Sequence, residues 1–308
     1  GNQMKGISHH DKIVLLGSCF SDQIGSKFAA NGFRSLVNPG GTIFHPLAIL
    51  HLIQWAMDPN FKPLRVYQHQ DIYFSWDLSG TFYAMSESEL HQKSAVLHQE
   101  LHEELKTSKF LFLTFGTSWG YELCTDGWLV ANCHKAPQTM FEKKMADVSM
   151  MTASWEELIK KIRQFNPALE LIFTISPVRH LKEGLIENNR SKARLHLLIE
   201  HITALQNCSY LASYELVLDE LRDYKFFKVD KAHPNEEAIN EVWNLVKQEL
   251  ISVESIQIIE KWNEIQRLKA HEILYPESMS AKRLQENIIQ KEEEFIKMYP
   301  AFLLPTLS

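Results

Sequence analysis

The chain has 308 residues, of which 45% are hydrophobic, and a net charge of −6. That composition supports a sizeable core and excludes a disordered chain, while the acidic balance gives no electrostatic case for nucleic acid or an anionic membrane surface. Four cysteines in so long a chain make no disulfide framework, and no run of about 18 apolar residues offers a membrane-spanning helix. A reducing compartment, the cytoplasm, is the expected location. The polar first residues, Gly1 to Asp11, lack a signal-peptide core, and a removed signal peptide would leave no trace.

Ile13 to Leu16 reads as a short buried strand, broken by Gly17. Phe20, Ile24, Phe28 and Ala29 then fall at helical spacing, so a helix is expected from Ser21 or Asp22, either of which could cap it. Ser18 and Cys19 thus sit on a turn between the C-terminal end of a strand and a helix N-terminus. Open α/β sheets bind ligands there, and the helix dipole favours an anion or a thiolate. Asn38-Pro39-Gly40-Gly41-Thr42 reads as a loop whose backbone can approach a ligand, and Pro46 to Met57 as an apolar helix. Residues 58–86 alternate aromatic and polar groups and read as a small β insertion with a turn at 77–80.

Ser88 to Thr107 is an amphipathic helix. Phe110 to Phe115 and Glu170 to Ile175 are continuous apolar strands, as in a parallel sheet covered on both faces. Each ends in a polar loop, 116–120 and 176–180. Between them lie a hairpin over 121–133, closed by Asn132-Cys133-His134-Lys135, and a helix over 152–165 capped by Thr152 or Ser154. Arg190 to Leu205 reads as helix, Ser213 to Tyr224 as helix or broken turn, Phe226 to Asp230 as a short strand or loop, and Glu236 to Leu250 as a helix capped by Asn235. Past residue 254, two charge-rich helices over 256–271 and 281–298 form an extension. They pack on the domain or offer a surface for homo-oligomerisation.

The βα alternation predicts a three-layer α/β/α, flavodoxin-like architecture with a mainly parallel central sheet, spanning 1–253, plus a helical extension over 254–308. Loops 17–21, 38–42, 116–120 and 230–235 gather along one sheet edge. They offer a nucleophile, backbone N–H groups, hydroxyls, and His233 with Asp230 three residues before it. Acyl transfer needs this combination.

Asp230-x-x-His233-Pro-Asn235, after an early strand-turn nucleophile motif, resembles the SGNH/GDSL hydrolase superfamily. Gly17-Ser-Cys-Phe-Ser21 resembles its GSCFA branch, as do Asn38-Pro-Gly-Gly41, Gly116-Thr-Ser-Trp119, Asn132-Cys-His-Lys135, Ser176-Pro-Val-Arg-His180 and Asn188-Asn-Arg-Ser-Lys192. The resemblance implies the fold, a site at that edge, and an esterase or acyltransferase acting on a small-molecule or glycan O-acyl ester. Aligned from the strand end, Cys19 falls on the superfamily's nucleophile; a one-residue shift would aim Ser18 instead. His233 would be the base and Asp230 its orienter. The superfamily's Gly-x-Asn donor falls on Gly116-Thr117-Ser118, which leaves Gly41, Thr117, Ser118, Asn132 and the Cys19 N–H to line the oxyanion pocket. His134, Lys135, Arg179, His180 and Arg190 could hold an anionic substrate group or form internal ion pairs.

Cys19, Cys133, His134 and His233 are metal-binding side chain types. They lack a C-x-x-C pair and come from separate elements, so no metal or other cofactor is expected. The departures in the donor loop keep a second reading open, a catalytically altered binding or regulatory module of the same fold.

Overall fold

In the computed structural model, residues 6–274 and 276–305 are described. Residues 1–5 of the polar N-terminal stretch and residue 275 of the link between the last two helices lie outside the described residues. The chain opens with β1 (Lys12–Gly17), α1 (Cys19–Ala30) and β2 (Arg34–Val37), followed by α2 (Pro46–Met57). A first antiparallel sheet follows, of β3 (Val66–His69), β4 (Ile72–Ser75) and β5 (Tyr83–Ala84). Next come α3 (Glu87–Thr107) and β6 (Phe110–Phe115). A second antiparallel sheet has β7 (Trp119–Leu123) between β8 (Leu129–Val130) and β9 (Phe141–Met145). The order then runs α4 (Val148–Phe165), β10 (Glu170–Ile175), α5 (Gly184–Ile202), β11 (Cys208–Tyr210), α6 (Ser213–Glu215), α7 (Glu236–Leu250), α8 (Val253–Leu274) and α9 (Met279–Met298).

The central sheet has five parallel strands in the order β11–β10–β6–β1–β2. Alternate residues of its strands feed two cores. Val14, Leu16, Leu111, Leu113, Phe115, Leu171, Phe173 and Ile175 pack against α2 to α5, where Ile49, Leu101, Trp155 and Leu195 meet them. Ile13, Leu15, Phe110, Phe112 and Ile172 pack on the other face against α1 and α7 through Phe28, Val242 and Val246. Period-two alternation with both sets apolar makes a buried strand, and covering both faces makes three layers. The switch in strand order between β1 and β6 places the loop after β1 at a crevice beyond the carboxyl ends of the strands.

Several local expectations change. Ser18 caps α1, so the helix begins two residues earlier than Ser21 and Cys19 becomes its first residue. Asp147 caps α4 by accepting from the Met150 N–H at 3.1 Å; neither Thr152 nor Ser154 does so. Helix α5 starts at Gly184 rather than Arg190. The 121–133 hairpin gains β9 as a third strand, and β11 adds an edge to the main sheet. Residues 226–230 form no strand but hold an isolated bridge from Phe227 to Pro234. Trp76 is buried and stacks on Tyr67 at 4.4 Å within a cluster shared by the two small sheets, so this part of the insertion's aromatic run is core.

Helices α8 and α9 pack on the main body at the C-terminal end of α1. Trp262 donates its indole N–H to the Ala30 carbonyl at 3.2 Å, and Phe302 lies 4.8 Å from the Trp262 ring. The Leu303 N–H returns to the Gly32 carbonyl at 2.8 Å. Among the described residues, no helix is long and apolar enough to cross a membrane.

Candidate active site

The site begins at a close approach of two strands. Gly17 has φ +136°, and a Cβ there would sit 2.2 Å from the Thr114 carbonyl of β6, so only glycine lets the turn leave β1 here. The Ser18 N–H donates to that carbonyl at 3.2 Å. Ser18 is fully buried, its hydroxyl accepts from the Phe20 N–H at 3.4 Å, and its carbonyl accepts from the Ser21 N–H at 2.9 Å. Cys19 follows, partly accessible, at the positive end of the helix. Asn38 braces the turn: its Oδ1 accepts from the Gly17 N–H at 2.9 Å, and its Nδ2 donates to Asp22 at 2.7 Å.

Burial pushes the Cys19 thiol up, and the Asp22 carboxylate adds to this. Its own N–H, Lys192 and Lys228 pull it down. Lys228 belongs to the segment that carries the predicted base, so that segment lies within electrostatic reach of the thiol. Within it, Asp230 Oδ2 meets His233 Nδ1 at 2.5 Å, while Asp230 Oδ1 accepts from the N–H groups of Ala232 at 2.9 Å and His233 at 3.0 Å. The His233 N–H, then the Ala232 N–H, then the imidazole hold the Asp230 carboxyl down to about 2. Asp230 is therefore ionised across the physiological range, and its bond to Nδ1 leaves Nε2 as the nitrogen open to a nucleophile. The Arg179 N–H donates to the Ala232 carbonyl at 3.1 Å, and the Lys228 N–H to the His233 carbonyl at 2.7 Å, tying this loop to the end of β10 and to itself.

One turn of α5 organises the remaining loops. Asn188 Oδ1 accepts from the His180 N–H at 2.8 Å. Ser191 Oγ accepts from the Ser118 N–H at 2.8 Å and meets Thr117 Oγ1 at 3.1 Å, while the Ser191 carbonyl accepts from Ser118 Oγ at 2.8 Å. Lys192 Nζ donates to the carbonyls of Gly116 and Ser176, each at 2.7 Å. The ends of β6 and β10 are thus fastened to the same helical turn. Burial, then the Lys192 charge, holds the His180 ring down to about 4, so it is neutral near pH 7.

The expected oxyanion donors fare differently. The Gly41 N–H is taken by the Asn38 carbonyl at 2.9 Å, in a turn held at φ +83°, so it is not free to meet an oxyanion. The Ser118 hydroxyl is directed to Ser191, and Thr117 Oγ1 accepts from the Trp119 N–H at 3.1 Å beside that serine. Asn132 accepts from the His134 N–H at 2.7 Å, and His134 stacks on Phe74 with its Nε2 against the Ser75 carbonyl. These two residues brace the small sheets. The Arg179 guanidinium lies over Phe227, 5.2 Å from the ring centre. Arg190 pairs with Glu187 at 2.6 Å rather than with a neighbouring loop. Cys19, Cys133, His134 and His233 do not come together: among the described residues, no three His, Cys, Asp or Glu side chains gather as a metal site.

Lys192 is the site residue whose role the sequence reading missed. It falls on the buried stripe of α5 with Asn188, Ser191, Leu195, Leu198, Ile199 and Ile202. A lysine at an i, i+3, i+4, i+7 core position is the signal that could have found it.

Residues 12–245 match the GSCFA family. The chain belongs to the GSCFA family. The GSCFA region holds the whole central sheet, Cys19, Lys192, Asp230 and His233, and leaves out α8 and α9. Among solved structures, the chain is similar to an acetyl xylan esterase, Est2A, from the rumen bacterium Butyrivibrio proteoclasticus. The two are 10% identical with a TM-score of 0.34, and the match covers 77% of this chain and 64% of that one. The chain therefore spans just under two thirds of that esterase's length. No curated protein sequence matches it.

Proposed function

We propose that this GSCFA protein is an SGNH/GDSL-type ester hydrolase or acyltransferase in which Cys19 is the nucleophile, His233 the general base and Asp230 its orienter. The observation that carries this reading is the Asp230–His233 pair, bonded at 2.5 Å through Nδ1 in the loop that the Arg179 N–H ties to the end of β10. Cys19 is favoured over Ser18 because Ser18 is fully buried and its hydroxyl serves as a helix cap, while Cys19 is partly accessible at a helix N-terminus.

In the reaction, the Cys19 proton passes to His233 Nε2 and Sγ attacks the acyl carbonyl carbon. The C–O bond to the alcohol breaks, His233 returns the proton to the leaving oxygen, and a thioester remains on Cys19. Water or an acceptor hydroxyl, deprotonated by His233, attacks the thioester and releases the acyl product and the thiol. With the Gly41 N–H and the Ser118 hydroxyl engaged elsewhere, the oxyanion falls to the Cys19 N–H and the helix dipole. An O-acyl ester, carried on a small molecule or a glycan, is the substrate class that the superfamily resemblance implies. Residues 1–253 form the catalytic domain in this reading, and 254–308 the extension.

Turnover of a short acyl ester tests the assignment. Cys19→Ala and His233→Ala should each lower it by at least about a hundredfold, and unchanged rates in both would overturn it. The engaged donors favour a second reading, a binding or regulatory module. Thermal shift against acyl and glycan panels, with stabilisation but no turnover, would support that reading instead.

A further inference from the structure

A cavity of about 450 Å³ lies where the β7–β8–β9 sheet meets the turn after β10, a volume within the range of ligand pockets. Tyr121, Phe141, Lys135, Lys143 and Lys182 line it. The two strands sort their charges by alternation. β7 and β9 pair antiparallel, with Tyr121 opposite Lys143 and Glu122 opposite Glu142. Successive side chains of a strand point to opposite faces. Tyr121, Phe141 and Lys143 therefore share the face toward the cavity. Glu122 and Glu142 lie on the other face, where Lys144 meets them at 3.4 and 3.6 Å. The strand alternation thus keeps these two acids out of the cavity.

Of the three lysines, Lys143 is already engaged: it pairs with Glu183 and lies 4.8 Å from the Trp119 ring centre. Among the described residues, neither Lys135 nor Lys182 pairs with a carboxylate, and both are exposed. Lys135 is set at the cavity by a strained turn. His134 and Lys135 have φ +50° and +57°, two consecutive left-handed residues that are not glycine. Such a conformation persists where its surroundings over-determine it. Here Asn132 accepts from the His134 N–H at 2.7 Å, the His134 ring stacks on Phe74 at 4.6 Å, and the Ala136 N–H returns to the Cys133 carbonyl at 2.9 Å.

The cavity adjoins the catalytic loop. The Arg179 N–H is bonded to the Ala232 carbonyl, next to His233. Lys182 comes three residues after Arg179, at most about 11 Å of chain away. That is a short step along an oligosaccharide.

We propose that this cavity is a subsite for a carboxylate-bearing sugar, a uronate, that neighbours the esterified residue of a glycan substrate. Tyr121 and Phe141 cover the apolar C–H face of the sugar ring, and Lys135 and Lys182 donate to its carboxylate. Hydrogen bonds between charged groups are stronger than those between neutral ones, so the acid is preferred over the neutral sugar. The inference deepens the ester-hydrolase reading and rests on it for the position of the ester; the uronate itself is argued from the cavity.

The test is titration calorimetry of the full chain with trigalacturonate and with the neutral galactose trisaccharide of the same linkage. Neither carries an ester, so the readout is binding and not turnover. The acid should bind at least about tenfold tighter. Equal affinities, or no binding of either, would overturn the subsite. Lys135→Gln and Lys182→Gln together should weaken binding of the acid by about tenfold or more. A preference that survives this double variant, or that falls as far in Lys144→Gln on the opposite face, would overturn it too. Tighter binding of glucose 6-phosphate than of glucuronate would assign the lysines to a phosphate and overturn the carboxylate.

The comparison of acid and neutral trisaccharides uses the unsubstituted chain, so it stands even if the double variant fails to fold. A chain that hydrolyses no ester yet prefers the uronate through these lysines would sink the hydrolase reading and leave the subsite. An active Cys19 enzyme with no such preference would do the reverse.

Discussion

The two ends of helix α1 are built in opposite ways. At its N-terminal end, Asn38 ties the Gly17 turn to Asp22 through directed hydrogen bonds, while a polar turn of α5 with the buried Lys192 fastens the ends of β6 and β10, and the Asp230–His233 loop is bonded to the residues after β10. At its C-terminal end, about 18 Å away along a 12-residue helix, Ala30 and Asn31 meet Trp262, Phe295 and Ile296 around a cavity of about 600 Å³. There Ile258, Trp262, Ile265, Ile288, Phe295 and Phe302 form an apolar cluster, and the ion pair Lys269–Glu292 is half-exposed. The first end holds charge and hydrogen-bonding groups in place and leaves a partly accessible sulfur. The second buries apolar surface and holds α8 and α9 onto the main body. Chemistry and packing are therefore separable along one helix, and variants at one end should leave the other's property intact.

The largest effect belongs to the polar end. Cys19→Ala or His233→Ala should lower ester turnover by about a hundredfold or more while moving the melting temperature little, because His233 is 43% exposed and Cys19 is not in the apolar core. At the apolar end, Trp262→Ala should cost about 3–5 kcal/mol of stability, read by chemical denaturation, with the alkylation rate of Cys19 in the folded fraction unchanged. A Trp262 variant that altered Cys19 reactivity would break the comparison.

Ser191→Ala sharpens the comparison from the other side. It removes the acceptor of the buried Ser118 N–H and should cost about 1–3 kcal/mol, but here ester turnover should fall too, because the same helical turn fastens the ends of β6 and β10 at the sheet edge. Acid should also weaken the polar end. Burial holds His45 and His180 down to about 4 in the folded chain, against an ordinary value of 6.5. The unfolded chain binds more protons between those values, so stability should fall as the pH drops from 6.5 to 4. Urea midpoints across that range would check it, and a flat profile would contradict it. The smallest effect is at Lys269. Its exposed pairing with Glu292 makes Lys269→Ala worth about 1 kcal/mol at most, shrinking in salt.

Much of this was readable in the sequence. The strands Phe110–Phe115 and Glu170–Ile175 and the helices Pro46–Met57 and Glu236–Leu250 stand with the bounds their apolar patterns predict, because each is a run whose period matches its burial. The motif residues 17–21 and 230–235 do lie at one sheet edge. Short elements were harder to read. β11 has three residues and β9 alternates only partly buried side chains, so neither carries a strong period. The start of α1 depended on which of several serines takes the cap, and tertiary contact with β6 decides for Ser18. Gly41 and Ser118 were expected to face a ligand; local turn bonding to Asn38 and long-range bonding to Ser191 turn their polar groups inward. Lys192 was visible as part of a motif, but a buried lysine acquires its meaning only from the Gly116 and Ser176 carbonyls that hold it.

The most direct test of the account is to catch the acyl group. The protein would be acid-quenched during turnover of an activated acyl ester, and its peptides analysed by mass spectrometry with and without hydroxylamine, which cleaves thioesters. The account predicts a hydroxylamine-labile acyl group on the peptide at Cys19 that builds up in the wild type and is lost in Cys19→Ala. An acyl group on Ser18 that persists in Cys19→Ala, or turnover with no covalent adduct at all, would contradict it.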